Sequence, residues 1–278
     1  MPDDTSRRSA LESTARWTAA ARAGESERSD GLFVDPWAAA LAGPEGRSWL
    51  AQRTPDGALP MVLRTRYFDD WLGSITGRDG IRQIVLLAAG LDTRAYRLSW
   101  PDGTRLFELD REAVLRDKAE VLRAAGAIPT CARQAVEADL TRAWAEALLA
   151  VGFDRARPSG WLLEGLLFYL AAEDIVRMLD EVTRLAAPGS QLGFDVINGA
   201  VLTSPWTRSW VEMQAQAGAP WIGTLDDPVR FLADRGWRAT LTQAGQPDAN
   251  HGRWTLPVIP TTMPGMPHNW YVTAQRDA

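Results

Sequence analysis

Gln83-Ile84-Val85-Leu86-Leu87-Ala88-Ala89-Gly90-Leu91-Asp92-Thr93-Arg94-Ala95-Tyr96-Arg97-Leu98 is an apolar run of strand length that ends on a single glycine and opens into a polar turn. A second run, Leu106-Phe107-Glu108-Leu109-Asp110, ends on a carboxylate. In an open parallel sheet this pairing seats a nucleoside. Glycine at one strand end lets the ligand approach the backbone, and an acid at the next strand end accepts hydrogen bonds from ribose hydroxyls. Gly90 and Asp110 are therefore the first candidate site residues, with Glu108 on the same face but deeper in the sheet. One glycine is not the three-glycine fingerprint of a dinucleotide site, which disfavours a nicotinamide oxidoreductase.

Outward from this pair, strands and helices alternate. Further strands are predicted at 134–140, 160–167 and 191–197, with helices at 112–125, 144–151 and 173–186 between them. Such alternation gives a parallel sheet covered on both faces. Two late strands, 237–242 and 269–274, follow a helix at 227–235, and a Trp-rich segment, 198–225, is read as an irregular insertion after the fifth strand. Before the sheet, Leu11, Ala15, Thr18, Ala19 and Arg22 form a helical stripe, and 35–43 has the acid, early proline and trailing glycine of a short helix. A linker at 55–60 leads to a helix containing Arg64-Thr65-Arg66-Tyr67-Phe68-Asp69-Asp70. The expectation is one domain over 1–278: a helical cap to residue 60, a ligand-binding core over 61–197, and a substrate-cap insertion with the last two strands over 198–278.

Composition narrows the function. A net charge of -5 and a pI near 5.2 argue against a nucleic-acid partner, which needs clustered excess Lys and Arg. No apolar stretch reaches bilayer length and the polar start, Met1-Pro2-Asp3-Asp4, lacks a signal-peptide core, so no membrane association and a cytoplasmic location are expected. The single cysteine, Cys131, excludes an intramolecular disulfide and a cysteine-based metal cluster; it reads as a small apolar filler, and no metal is expected. Tryptophan is abundant, 13 copies against 4 tyrosines, and Trp206, Trp210, Trp221, Trp237, Trp254 and Trp270 crowd the last third. They are either core or the lining of a pocket for a flat, apolar molecule.

The helix motif around Arg64, the Val85–Arg94 turn, Phe107-Glu108-Leu109-Asp110, Glu137-Ala138-Asp139-Leu140 and Glu164-Gly165-Leu166-Leu167-Phe168-Tyr169-Leu170, in that order, resemble the motif series of the leucine carboxyl methyltransferase family. These are S-adenosylmethionine-dependent O-methyltransferases that include tetracenomycin-type polyketide O-methyltransferases, and the resemblance spans roughly residues 35–195. It implies an α/β fold: the seven-stranded, Rossmann-like class I methyltransferase sheet with its last strand inserted antiparallel. It also implies S-adenosyl-L-methionine as cofactor.

On that cofactor each motif has a task. A guanidinium, Arg66 first and Arg64 second, suits the methionine carboxylate. Gly90 admits the methionine moiety, and Asp110 holds the ribose. Asp139 and the backbone of Leu140 frame the adenine. Glu164, an acid in an apolar strand, needs a cationic partner, either the cofactor's ammonium and sulfonium end or an internal arginine. Asp92, Thr93 and Arg94 are read as shaping the loop, with Asp92 and Arg94 paired to each other or to Arg64.

For the acceptor, a carboxylate needs no general base, being ionised at neutral pH, whereas a phenol with a pKa of about 10 benefits from one. His251 and His268 are the only imidazoles, and both read as loop residues. Tyr169, Arg208, Trp206, Trp210 and His251 are the substrate-pocket candidates. The expected function is O-methylation of a carboxylate or phenolic hydroxyl on an aromatic natural product of polyketide type, as in antibiotic biosynthesis. Protein carboxyl methylation and a non-catalytic nucleoside-binding protein are the alternatives.

Overall fold

The computed structural model describes residues 4–52 and 55–277. The start of the polar N-terminus, residues 1–3, lies outside the described residues, as do 53 and 54 just ahead of the expected linker. Seven strands form one sheet in the order β3-β2-β1-β4-β5-β7-β6. They are β1 (Gln83–Leu87), β2 (Arg105–Asp110), β3 (Ala132–Glu137), β4 (Ser159–Leu163), β5 (Gln191–Ile197), β6 (Trp237–Thr242) and β7 (Asn269–Arg276). The first five pair in parallel, and β7 lies antiparallel between β5 and β6. This is the class I methyltransferase sheet. Strand order reverses between β1 and β4, where α/β sheets open a crevice for ligands.

The central strands are mainly apolar because both faces are covered. Ile84, Leu86, Leu106 and Leu162 point to one side, where Ala19, Ala20 and Leu41 of the cap and Phe68, Leu72 and Ile75 of the pre-sheet helix cover them. Val85, Leu87, Phe107, Trp161 and Leu163 point to the other, against Leu148, Met178, Leu179 and Val182. The helices are α1 (Asp4–Ser26), α2 (Ala38–Ala51), α3 (Leu59–Gly77), α4 (Arg94–Arg97), α5 (Glu112–Ala124), α6 (Ala145–Ala150), α7 (Ala172–Leu185), α8 (Gly199–Thr203), α9 (Arg208–Gln216), α10 (Pro228–Ala233) and α11 (Pro247–Asn250). None is long and apolar enough to cross a membrane.

Three expectations are corrected. The fourth strand stops at Leu163, so Glu164 sits at its exit; Gly165, at φ +70°, turns the chain out of the sheet. The short helix expected at 35–43 begins at Ala38 and continues to Ala51 across a kink at Gly43-Pro44, because proline is tolerated where a second helical segment starts. The 198–225 segment is largely helical, carrying α8 and α9. Its signal was faint because the only residue that α9 fully buries is the polar Gln214, so no apolar stripe marks the helix.

Candidate functional site

The ends of β1, β2 and β4, together with the loops that follow them and β3, open into a cavity of about 480 Å³ that α1 covers through Leu11, Ala15 and Thr18. That volume lies in the range of small-molecule sites. Gly90, Asp110, Asp139, Leu140, Glu164, Arg64, Tyr169 and Trp210 all line it.

The glycine turn is built for close approach. Gly90 adopts φ +45° and Ala88 φ +53°, the latter a conformation that costs an L-residue about 1 kcal/mol or more. Pairing of Leu87 with Leu109 sets this turn beside the end of β2. Gly90 N donates to Asp110 Oδ2 at 2.7 Å and Arg111 N to Oδ1 at 2.8 Å. Burial pushes the Asp110 carboxyl above its ordinary pKa, against the opposing pull of these two amides. Asp139 is exposed at the β3 exit, where its Oδ1 accepts from Thr141 N at 3.0 Å and Thr141 Oγ1 at 2.6 Å.

Beneath the cavity runs a chain of ion pairs. Arg22 Nε on α1 bonds Asp35 Oδ2 at 2.8 Å, and Thr93 Oγ1 donates to the same oxygen at 2.5 Å. Arg97 Nε approaches Asp35 at 3.8 Å, and its Nη1 and Nη2 grip Asp69 at 2.6 and 2.7 Å. Arg94 bonds Asp69 at 2.7 Å, pairs with Asp92, and brings Nη2 to 2.8 Å from Glu164 Oε2. Arg64 closes the series, with Nε on Glu164 Oε1 at 2.9 Å and Nη1 on Asp195 Oδ2 at 2.8 Å. Burial works against the Glu164 carboxylate, but Arg94 and Arg64 outweigh it and hold its pKa below the ordinary value. Burial opposes ionisation of Asp92 too, yet the neighbouring Arg94 guanidinium, with Lys118 behind it, pulls Asp92 down to about 2. At Asp195 burial prevails over Arg64 and the carboxyl is pushed up.

Four guanidinium groups (Arg22, Arg64, Arg94, Arg97) thus face five carboxylates (Asp35, Asp69, Asp92, Glu164, Asp195), an excess of one negative charge. The Asp92–Arg94 pair forms as the sequence suggested. Glu164 has the internal arginine partner offered as one of its two readings, yet its Oε2 still receives no well-aligned hydrogen bond. Glu108 faces away from the cavity, fully buried on Lys118 at 2.9 Å and Arg133 at 2.7 Å.

Several expected site residues lie elsewhere. Arg66 donates to Asp70 and to Leu32 O outside the cavity; two positions on a helix are about 200° apart, so α3 can turn only one of Arg64 and Arg66 inward. Trp206 is 71% exposed, and neither it nor Arg208 is among the cavity-lining residues, because α9 presents Trp210 and Gln214 there instead. His251 follows α11 at φ +47°, near Arg66 and Asp70; burial lowers its pKa, and it does not reach the cavity. His268 is buried with Nδ1 3.1 Å from Gln243 Oε1 and its ring stacked on Trp270.

The cavity also collects residues not anticipated, Arg22, Arg97, Phe168 and Gln214, together with Trp221, one of the late tryptophans read as either core or pocket lining. Asp195, which supports Arg64 from below, carried the same sequence signal as Glu164, an acid within an apolar strand. Trp221 lies 4.8 Å from Phe168 and 6.3 Å from Trp210, ring centre to ring centre, so β4 exit, α9 and the segment after it form one aromatic wall. Burial raises the pKa of Tyr169 beside them. Among the described lining residues there is no histidine, lysine or cysteine. Among the described residues no group of three or more His, Cys, Asp and Glu side chains is arranged to hold a metal ion.

Sheet order, glycine turn and the acids at successive strand exits define a protein of the class I methyltransferase fold. The chain belongs to the leucine carboxyl methyltransferase family, whose model matches residues 15–183. It is 42% identical over 275 residues to a protein of Parafrankia sp. named as an S-adenosyl-L-methionine-dependent methyltransferase, covering 95% of this chain and 86% of that one. A protein of Streptomyces coelicolor with the same kind of name is 38% identical over 251 residues, covering 86% and 87%. In fold the chain is similar to a DUF574 family protein of Streptomyces avermitilis, with TM-score 0.62, 15% identity and coverage of 95% and 97%. It is likewise similar to an O-methyltransferase family protein of Burkholderia thailandensis, with TM-score 0.53, 14% identity and coverage of 96% and 71%.

Proposed function

We propose that the chain is an S-adenosyl-L-methionine-dependent O-methyltransferase acting on an oxygen of a small, flat aromatic molecule of polyketide type. The observation that carries this reading is one cavity joining Gly90, Asp110 and Glu164 at the strand ends to the Phe168–Trp210–Trp221 wall.

The residues present fit the cofactor. Arg64 Nη2 has no hydrogen-bond partner among the described residues, nor does Arg22 Nη1, and both side chains line the cavity, so these two would hold the methionine carboxylate. The under-bonded Glu164 Oε2 would accept from the ammonium, and the excess negative charge of the ion-pair chain suits a cation. Asp110 would take the ribose hydroxyls, Asp139 and Leu140 the adenine edge, and Gly90 the chain between them. When bound, the cofactor supplies an electrophilic methyl group.

The chain's own work is then alignment and exclusion of water, since α1 and the aromatic wall enclose the acceptor side. Among the described lining residues no imidazole or amine is placed to take a proton, and Glu164, held below the ordinary carboxylate pKa, is a poor base. We take the acceptor oxygen to be one already ionised at neutral pH, a carboxylate or an acidified phenol. Calorimetry with S-adenosylhomocysteine, followed by labelled methyl transfer to paired aromatic carboxylates and phenols, tests this reading. Failure to bind S-adenosylhomocysteine would refute it.

A further inference from the structure

We infer that Gln214 reads a hydroxyl group on the aromatic acceptor. The inference rests on the proposed methyl-transfer reading and narrows its substrate class to hydroxylated aromatics.

Helices bury apolar residues, and α9 does the reverse: its one fully buried side chain is the amide of Gln214, 6% exposed. Burying an amide without hydrogen bonds is costly, so nearly all buried amides in folded proteins are paired. Gln214 is an exception. Its side chain takes part in no hydrogen bond among the described residues, and Oε1 is sealed from solvent without a partner. The backbone of the same residue is satisfied, since Gln214 O accepts from Ala219 N at 3.0 Å as the helix ends. The deficit belongs to the side chain alone.

Its position supplies the reason. Gln214 lines the cavity, and Trp210, four positions earlier on α9, shares its face of the helix and lines the cavity too. Trp221 stands across from Trp210, with Phe168 behind it. The amide is thus a polar group set into an aromatic wall, the usual way for a mostly apolar pocket to fix the orientation of a flat ligand. An amide can present either its oxygen or its nitrogen by rotating half a turn, and a hydroxyl both donates and accepts. A ring hydroxyl therefore satisfies Gln214 in either orientation. A site built to hydrogen-bond a hydroxyl discriminates strongly against the analogue lacking it, because the buried amide is then left unpaired.

The test is a binding measurement that needs no turnover. Protein saturated with S-adenosylhomocysteine is titrated with 2-naphthol and with naphthalene, followed by calorimetry and by quenching of tryptophan fluorescence. The wild-type protein is expected to bind 2-naphthol about tenfold more tightly than naphthalene. Gln214→Leu is expected to bring the two within about twofold while leaving affinity for S-adenosylhomocysteine unchanged; Gln214→Met serves if the leucine variant does not fold. No preference in the wild type, or a preference that survives in the variants, would overturn the inference. Loss of S-adenosylhomocysteine binding by the wild type would instead strike the methyl-transfer reading beneath it.

Discussion

Arg64 and Glu164, one hundred positions apart in the chain, meet at 2.9 Å between Nε and Oε1 beneath the cavity that both line. Arg64 also carries Asp195, so one guanidinium neutralises two buried acids while a remaining nitrogen stays available to a ligand. Arg64→Ala should therefore destabilise the protein by about 3–5 kcal/mol, the cost of leaving buried charge unpaired. Arg64→Lys should retain more stability yet weaken S-adenosylhomocysteine binding, as an ammonium cannot serve three sites of a planar fork. Arg66→Lys should change stability by no more than about 0.5 kcal/mol and leave binding intact. Thermal melts and calorimetry on the three variants check this; equal binding losses at positions 64 and 66 would contradict the assignment.

Asp110 is held by two backbone amides with its carboxylate toward the cavity. Asp110→Ala should weaken S-adenosylhomocysteine binding by about 1.5–3 kcal/mol, the worth of hydrogen bonds to a charged group. Normal affinity in that variant would remove Asp110 from the site.

Stability should fall with acid, and Asp92 should be a named contributor. Its pKa, about 2 in the folded protein, lies below the ordinary aspartate value, so it stabilises the fold fully at neutral pH. That stabilisation disappears as pH falls through the ordinary carboxylate range toward 2. Glu164 acts in the same direction. Asp110 and Asp195, pushed up by burial, act oppositely: their ionisation costs stability as pH rises past the ordinary carboxylate range. Asp92→Asn keeps an oxygen for Arg94 N, which now bonds Oδ1 at 2.7 Å, and loses the charge together with the Oδ2 acceptor that pairs with Arg94 Nη1. Melts between pH 7 and pH 3 should show a shallower acid loss in Asp92→Asn than in wild type; parallel curves would rule Asp92 out.

Methyl transfer should not depend on an imidazole. His251→Asn tolerates the positive φ and should keep kcat within about twofold, with no inflection below the ordinary histidine pKa lost from the rate profile. A hundredfold fall in kcat without loss of cofactor binding would restore His251 as a base.

The sheet was legible because its signals are local: strand-length runs separated by helical periodicity, three of them leading into Gly90, Asp110 and Glu164. Gly90 and Asp110 stood out for the same reason. What sequence could not supply was pairing at long range. Arg22 looked like one more position on a helical stripe, and only folding brings it to Asp35 and to Leu91 O. The choice between Arg64 and Arg66 depended on the rotation of α3 about its axis, which Phe68, Leu72 and Ile75 set by packing on the sheet. In the 198–225 segment, abundant tryptophan drew the eye to Trp206, which faces solvent, and away from Gln214, whose burial no composition rule anticipates.

The ion-pair chain makes the two coverings of the cavity unequal as parts. The N-terminal helices are bolted to the sheet from Arg22 through Asp35, Arg97, Asp69, Arg94 and Glu164, so a foreign cap grafted here would strand charges unless it brought Arg22 and Asp35 with it. Among the described residues no ion pair ties α8 or α9 to that chain; apolar and aromatic contacts hold them. The α8–α9 segment is consequently the exchangeable module, where a designer would cut without breaking any link of that chain.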